Sequence, residues 1–421
     1  MTSVTFDNSP RSHDHGPTRK ETLAIFTRRN VRILALLGAA AFAGAWNFTF
    51  LAPILPEVAD GTDVSVTAAG QLVTVSAAVT VVALIALGPL SDRYGRRTML
   101  ITGLLSMGLA ALGSAMTSSF ALLMALRIFS GIADALVLPS SAAAVGDYFH
   151  RKDREVALNV LLLPLGAAAV IGLPAVVVIT KAADWQVAFL ALGLFNIAAA
   201  IGIRALLPEV AVDRRATTLS GHYRESYGEI IGNRAALIIL AASVLSAAVW
   251  NGMVTYAGAL FEDEVGANGT GLTVIFAGLG VSYVIGGAAG VALSRRLPSR
   301  TIALASAVCA AVLLLPFVGS TDVAIVCVIF GMLFAASRAP GIAALNNMLL
   351  DAAPSAQGTA VSSYGVVAAS GILMGAASGG GALELEGFIG MGVLFTGLAL
   401  LSVLLLARPP RGPELEPSGA A

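Results

Sequence analysis

Charged residues are scarce in this sequence. Asp, Glu, Lys and Arg together make up 12% of the chain, about half of the roughly 25% that is usual for soluble domains. Hydrophobic residues make up 57%, and the mean hydropathy is +0.85. The net charge is zero, so no overall basic field favours nucleic acid as a partner. The composition excludes an ordinary soluble domain and predicts that the chain lies in a lipid bilayer.

Side chains suited to metal binding or catalysis are equally few. The two cysteines, Cys309 and Cys327, lie inside apolar runs without CxxC or Cys/His spacing, and we interpret them as small hydrophobic residues. The His13-Asp14-His15 cluster belongs to a polar tail, which we interpret as solvated. The sequence shows no phosphate-binding loop and no Ser/His/Asp set. We therefore expect no enzymatic activity, no metal and no cofactor.

Twelve long apolar runs, bounded by charged or turn residues, follow one another along the chain. A helix needs roughly 20 residues at 1.5 Å each to cross about 30 Å of hydrocarbon, and runs of this length favour helices over barrel strands. We number the predicted helices as spans 1 to 12. Their predicted ranges are 31–55, 66–90, 98–117, 120–146, 156–180, 185–207, 236–260, 269–293, 301–319, 322–349, 357–382 and 388–407.

Basic residues fall on one side of the predicted spans. Of the 25 Lys and Arg residues, 22 lie in the tails, in the gaps after even-numbered spans, or at the span ends next to them. The gaps after odd-numbered spans hold only Lys181. Arg127 and Arg338 lie within spans. Cytoplasmic loops of membrane proteins carry such an excess of positive charge. We therefore expect a multi-pass protein of the cell inner (cytoplasmic) membrane, with both termini in the cytoplasm.

The longest gap, which is rich in Arg, Glu, Ser and Thr, divides the spans six and six. It therefore predicts two halves joined by a cytoplasmic linker, with a cytoplasmic tail at each end. The predicted units are the N-terminal tail 1–30, the N-terminal half 31–207, the linker 208–235, the C-terminal half 236–407 and the C-terminal tail 408–421.

The two halves echo each other in sequence. Trp46-Asn47 in span 1 returns as Trp250-Asn251 in span 7, 204 residues later. Residues 290–300, after span 8, are a degraded copy of the loop after span 2. Short matches of this kind indicate two halves with a common architecture.

The loop between spans 2 and 3, residues 88–97, reads GPLSDRYGRR. Its first glycine allows a neighbouring helix to approach closely, and its second permits a tight turn. Its Asp can accept hydrogen bonds from a helix N-terminus or pair with an arginine. The residues that we expect to act in gating are Gly88, Asp92, Arg93, Gly95, Arg96 and Arg97.

This spacing resembles motif A of the major facilitator superfamily, which lies between the second and third transmembrane helices. The resemblance covers residues 31–407, and within the superfamily the chain is similar to the drug:proton antiporters. It implies an all-α membrane protein with twelve transmembrane helices in two pseudo-symmetric six-helix halves. It also implies that the loop motif locks the cytoplasmic face while the substrate cavity opens outward.

Span 4 carries two ionisable residues, Arg127 and Asp134. Because charge at mid-bilayer is costly, both should face a cavity or each other. Seven residues separate them, roughly 10 Å along one helix face, which is too far for a close pair unless the arginine leans toward the carboxylate. Arg127 followed by Gly131 resembles motif B, whose arginine is associated with proton coupling. Our hypothesis is that Asp134 carries the coupling proton under the influence of Arg127; a buried pair that only fixes helix packing is the alternative.

Aromatic and amide side chains at matching depth in the two halves predict a cavity for an organic compound. Adjacent residues diverge by about 100° on a helix, so only one of each Trp-Asn pair can face the cavity squarely. For Arg338 in span 10, three roles stay open: binding a substrate anion, pairing with Asp134, or snorkelling. The expected cavity residues are Trp46, Asn47, Trp250, Asn251, Arg338 and Asn346.

Two functions fit these observations. The first is proton-coupled efflux of a small organic compound, that is, drug:proton antiport. The alternative is proton-coupled or facilitated uptake of a small metabolite or organic anion. In either case the expected partners are a small-molecule substrate, protons and the lipid bilayer, and the chain is expected to function as a monomer.

Overall fold

A computed structural model of the chain describes residues 27–87, 94–150, 153–210, 232–352 and 357–407. Within these ranges every regular element is a helix. Ten helical segments are long and apolar enough to cross a membrane, and the last of them comprises two spans. The prediction of an all-α, multi-pass membrane protein is therefore confirmed.

Each predicted span corresponds to helical structure, with its ends displaced by a few residues. Side-chain caps define some of these ends: Thr27 Oγ1 accepts a hydrogen bond from Asn30 N at 3.2 Å, and Asn233 Oδ1 accepts one from Ala235 N at 2.9 Å, as N-cap residues do. In chain order the observed helices are Arg28–Thr49, Val66–Leu87, Arg96–Ala115, Phe120–Tyr148, Arg154–Ala167 continuing as Leu173–Ala182, Trp185–Leu206, Arg234–Ala259, Gly269–Ser294, Ser299–Gly319, Ala324–Ala352 and Gln357–Ala407.

Within the described ranges, the helices depart from regular α geometry at four places. Span 1 continues through a 3₁₀ turn, Ala52–Ile54, into a short helix, Leu55–Gly61. Spans 5 and 7 contain π turns at Ala168–Gly172 and Leu260–Glu264, and such turns are frequent at functional sites. Spans 11 and 12, which we predicted as separate, are two helices that meet at a kink at Gly387, whose φ of 65° and ψ of −161° are not helical.

The spans of each half pack chiefly against one another. Contacts between the halves run mainly from span 2 to span 11, from span 5 to span 8 and from span 1 to span 7. Gly280 of span 8 makes one close approach possible, because a Cβ there would lie 2.7 Å from Ala169 O of span 5; small residues allow helix backbones in a membrane to approach in this way. We call the end of the molecule with the gaps after odd-numbered spans the acidic end, and the opposite end the basic end.

Candidate functional site

The centre of span 4 holds a buried carboxylate that binds an amide of span 1. Asp134 is only 1% exposed, and the Asn47 Nδ2 group donates to its Oδ1 at 2.9 Å and to its Oδ2 at 3.0 Å. Asn47 Nδ2 also donates to Ser130 Oγ at 2.9 Å. Ser130 and Asp134 are four residues apart, so the same face of the helix presents both to Asn47. Span 1 and span 4 are therefore joined by a polar cluster in which Asp134 is the acidic member.

Arg127 turns toward an aromatic ring and not toward Asp134. Its guanidinium carbon lies 5.1 Å from the centroid of the Phe189 ring in span 6, a cation–π geometry. Among the described residues, no ion pair joins Arg127 to Asp134. The two charges still interact through space. Asp134 thus has a neutral hydrogen-bond partner at close range and a cation further away.

A small pocket adjoins this cluster. It is lined by Asn47, Arg127, Asp134 and Ser76 of the N-terminal half together with Ile372 of span 11. Because Ile372 belongs to the other half, the pocket lies where the two halves meet. We call it the Asp134 pocket.

The two residues of the first Trp-Asn pair point in different directions. Trp46 Nε1 donates to Gly172 O in the π turn of span 5 at 3.0 Å, and the Trp46 ring lies 5.8 Å from the Phe195 ring of span 6. Trp46 is therefore packed inside the N-terminal half, and Asn47 is the member of the pair that lines the Asp134 pocket. Only one member of this pair therefore lines the pocket, as the 100° divergence of adjacent helix residues requires.

In the second pair the roles are reversed. Trp250 lies 5.5 Å from the Tyr283 ring and 5.7 Å from the Phe334 ring, both centroid to centroid. Asn251 Nδ2 donates to Ala247 O of its own helix at 2.8 Å. Trp250 thus belongs to a group of aromatic rings, whereas the Asn251 amide is satisfied locally.

A second pocket, in the C-terminal half, contains Arg338. The pocket is small, and the buried Arg338 guanidinium that lines it donates to Ser246 Oγ of span 7. No described ion pair joins Arg338 to Asp134, and the two residues line different pockets. Asn346 lies half-buried eight residues further along span 10. The residues lining this Arg338 pocket include Trp250, Phe334, Ser306, Ser337 and Ser402.

Residues 37–376 match the family model described as Major Facilitator Superfamily, and this range is most of the chain. The chain belongs to this superfamily. The predicted resemblance is therefore confirmed, and the protein is a major facilitator transporter of a small-molecule substrate in a membrane.

Its relatives include a resistance protein. The chloramphenicol resistance protein of Streptomyces lividans is 27% identical over 386 residues, which cover 90% of this chain and 96% of that protein. The uncharacterized MFS-type transporter YtbD of Bacillus subtilis (strain 168) is 24% identical over 271 residues, 64% of this chain and 67% of that protein. A solved structure of a bacterial homologue of the human lysosomal transporter Spinster, inward-facing and unoccupied, has a TM-score of 0.69 at 14% identity, covering 90% of this chain and 95% of that chain. At this identity the structural likeness shows the fold alone.

The loop motif of this major facilitator transporter is described only in part, because Gly88, Asp92 and Arg93 lie outside the described residues. Gly95 adopts a φ of 83°, a backbone conformation that favours glycine. Arg96 forms an ion pair of 3.6 Å with Asp147 at the end of span 4.

The last arginine of the motif binds the end of span 6. Arg97 Nη2 donates to Arg204 O at 2.6 Å, and Nη1 lies 2.6 Å from Glu209 Oε1. In the C-terminal half, Arg300 repeats the first contact: its Nε donates to Leu406 O at 2.9 Å, near the end of span 12. The described contacts of Arg96 and Arg97 thus lie within the N-terminal half, and Arg97 and Arg300 cap equivalent helices.

Sequence reasoning missed two polar contacts that the structure shows. Ser130 shares the Asn47 amide with Asp134, but a serine on an apolar helix gives no signal of its own. Lys181 bridges two carboxylates at the acidic end, and its signal was visible: it is the single base in the gaps after odd-numbered spans. In the described residues, no group of three His, Cys, Asp or Glu side chains could hold a metal ion.

Proposed function

We propose that this transporter exports a small organic compound in exchange for protons, with Asp134 as the proton carrier. The observation that carries the proposal is the environment of Asp134: a buried carboxyl group in the middle of a membrane span, at a pocket between the two halves. Burying an ionisable group at that depth costs free energy, so such groups are rare and usually either paired or functional. Here the close partner is an amide, which leaves the carboxyl group able to change its charge.

The partner of Arg127 supports the same assignment. If Asp134 were held in a salt bridge, protonation would leave an arginine charge buried without a partner, which is strongly unfavourable. Arg127 instead lies over the Phe189 ring, and this interaction persists whether Asp134 is charged or neutral. Arg127 can then influence Asp134 electrostatically, and protonation of Asp134 breaks no ion pair with the arginine.

The substrate is proposed to be an amphipathic organic compound that bears a ring. The Arg338 pocket combines aromatic side chains, serine hydroxyls and one guanidinium group, a combination suited to an apolar body with a few hydrogen-bond acceptors. The name of the Streptomyces lividans relative points to chloramphenicol as a first compound to test.

The proposed setting is the cytoplasmic membrane, with the basic end in the cytoplasm and the chain acting as a monomer. The excess of Lys and Arg at that end supports this orientation. A membrane-impermeant thiol reagent applied to intact cells tests it. A cysteine introduced at Ser118, in the gap after span 3, should react, and one introduced at Arg296, in the gap after span 8, should not.

Proton coupling is tested in proteoliposomes by following internal pH when chloramphenicol and related compounds are added. Asp134→Asn should reduce substrate-induced proton movement to background, because the amide cannot release a proton in this pH range. Asn196→Ala is the matched control: it removes another buried amide, whose Nδ2 donates to Leu192 O of its own helix, without touching Asp134. Normal coupled transport by Asp134→Asn would show that Asp134 is not the carrier.

Uptake of an organic anion is the second candidate, and the buried Arg338 guanidinium favours it. Cellular accumulation of a labelled compound distinguishes the two directions. Export predicts lower accumulation in cells that express the protein, and recovery when the proton gradient is collapsed. Higher accumulation would instead support uptake, and Arg338→Gln should then weaken uptake of anionic compounds more than that of neutral ones.

A further inference from the structure

The single base at the acidic end lies between two carboxylates. Lys181 Nζ is 2.7 Å from Glu57 Oε1 and 2.6 Å from Glu262 Oε1. The three side chains are partly exposed, with exposed fractions of 32% for Lys181, 21% for Glu57 and 15% for Glu262. The two carboxylates are the more buried members, and partly buried pairs are screened less by salt than fully exposed ones.

The three residues come from three different spans, and one of them belongs to the other half. Glu57 lies on the short helix that extends span 1, and Lys181 is in the last turn of span 5. Glu262 lies in the π turn that ends span 7. The pair between Lys181 and Glu57 is therefore internal to the N-terminal half, whereas the pair between Lys181 and Glu262 joins the two halves.

Close packing between the halves surrounds this ion pair. The Gly258 Cα of span 7 lies so near the chain at Ala52 that a Cβ at position 258 would overlap Ala52 O. Tyr256, also in span 7, is fully buried between Gly70 of span 2 and Gly380 of span 11. The acidic end is thus closed in this conformation, and Lys181 lies at the junction.

We propose that Lys181, Glu57 and Glu262 form an electrostatic lock that holds the acidic end closed until the halves rock apart. A transporter of this superfamily must open each end in turn, and opening the acidic end must separate Glu262 from Lys181. Lys181 keeps Glu57 as its partner when that happens, and Glu262 moves toward water. The broken pair therefore leaves no buried charge without a partner, so the lock can open and close repeatedly.

The neighbouring charges make the lysine necessary. Oxygens of Glu57 and Glu262 lie close to one nitrogen, so they are at most about 5 Å apart, and without the lysine they would repel. Asp60 and Asp263, both exposed, add negative charge at the same end. A base at this position converts a repulsive contact between the halves into an attractive one.

The two carboxylates provide a matched pair of variants. Glu262→Gln removes the pair between the halves, while Glu57→Gln removes the pair inside one half and keeps the pair between the halves. Spin labels at Ser118→Cys in the N-terminal half and Asn268→Cys in the C-terminal half, both exposed positions at the acidic end, report its opening by pulsed electron paramagnetic resonance. The measurement uses full-length protein in which Cys309 and Cys327 are replaced by Ser and Ala.

The lock predicts that Glu262→Gln raises the ratio of open to closed acidic ends by roughly 2- to 5-fold, as expected for a partly exposed ion pair, and that Glu57→Gln does not raise this ratio. The double variant Lys181→Glu with Glu262→Lys should restore closure. Its lysine, at position 262 in the C-terminal half, would then face the carboxylates at positions 57 and 181 of the N-terminal half. Equal distance distributions for Glu262→Gln and Glu57→Gln, or a double variant that stays open, would overturn the proposal. The readout is independent of proton coupling, so it stands or falls separately from the role of Asp134.

Discussion

Replacing Asn47 by alanine tests the bond that holds Asp134. Its amide donates to both carboxylate oxygens, at 2.9 and 3.0 Å. Hydrogen bonds to a charged group contribute about 1.5–3 kcal/mol, whereas neutral side-chain hydrogen bonds between transmembrane helices average about 0.6 kcal/mol. We expect Asn47→Ala to lower the free energy of unfolding by about 1.5–3 kcal/mol at alkaline pH, where Asp134 is ionised, and by about 0.6 kcal/mol at acid pH, where it is protonated.

The sign of this pH dependence follows from the donor. An N–H group favours the carboxylate over the neutral carboxyl group, so the contribution of Asn47 is greatest when Asp134 is charged and falls as the pH is lowered. The assay is equilibrium unfolding in mixed micelles by titration with sodium dodecyl sulfate, followed by tryptophan fluorescence. A double-mutant cycle with Asp134→Ala isolates the interaction between the two side chains.

Asn251→Ala is the matched control, because it replaces the equivalent residue of the other half. Asn251 occupies the equivalent place in span 7, but its amide donates to Ala247 O of its own helix, so its loss should cost less than about 0.5 kcal/mol. Equal losses from Asn47→Ala and Asn251→Ala, or a cycle in which Asn47 and Asp134 act additively at alkaline pH, would refute the reasoning.

Two further predictions concern packing and helix ends. Gly252→Ala should lower the free energy of unfolding by about 1–3 kcal/mol, because its Cβ would overlap the Phe395 ring. Gly271→Ala is the control: a Cβ there would meet nothing within 4 Å, so the same unfolding assay should show almost no change. Arg300→Ala should speed amide hydrogen exchange in the last turn of span 12, whose carbonyls its guanidinium binds, whereas Arg296→Ala, an exposed neighbour, should not. Unchanged amide hydrogen exchange in Arg300→Ala would show that Arg300 does not cap span 12.

Hydropathy and charge alone predicted most of the fold. The helices of spans 1 to 10 lie where apolar runs of sufficient length were found, because a chain in lipid must satisfy its backbone within each segment. The division between spans 11 and 12 was also predicted: the sequence between them contains Glu384 and Glu386, and the structure has a non-helical kink at Gly387 between the two helices.

The composition of the candidate site was predicted, but its contacts were not. Periodicity placed Arg127 and Asp134 on span 4, yet it could not choose between an ion pair and separate partners. That choice depends on where Phe189 of span 6 and Asn47 of span 1 lie in space. The orientation of Trp46 likewise depends on a carbonyl group in span 5. The partners of these side chains lie on other helices. Their positions depend on how the helices pack, which cannot be read from the residue pattern of one helix.

The π turns also fix the phase of the residues that follow them. A π turn inserts one residue into an α-helix, and one residue corresponds to about 100° of rotation. The stretch Leu173–Ala182 is therefore rotated by roughly this angle from the direction that an unbroken span 5 would give it, and Lys181 lies at its end. Glu262 is itself part of the second π turn. The lysine and the carboxylate that meet across the two halves are thus oriented by irregular helix geometry, and an unbroken α-helix through Ala168–Gly172 with the same number of residues would turn Lys181 away from both glutamates.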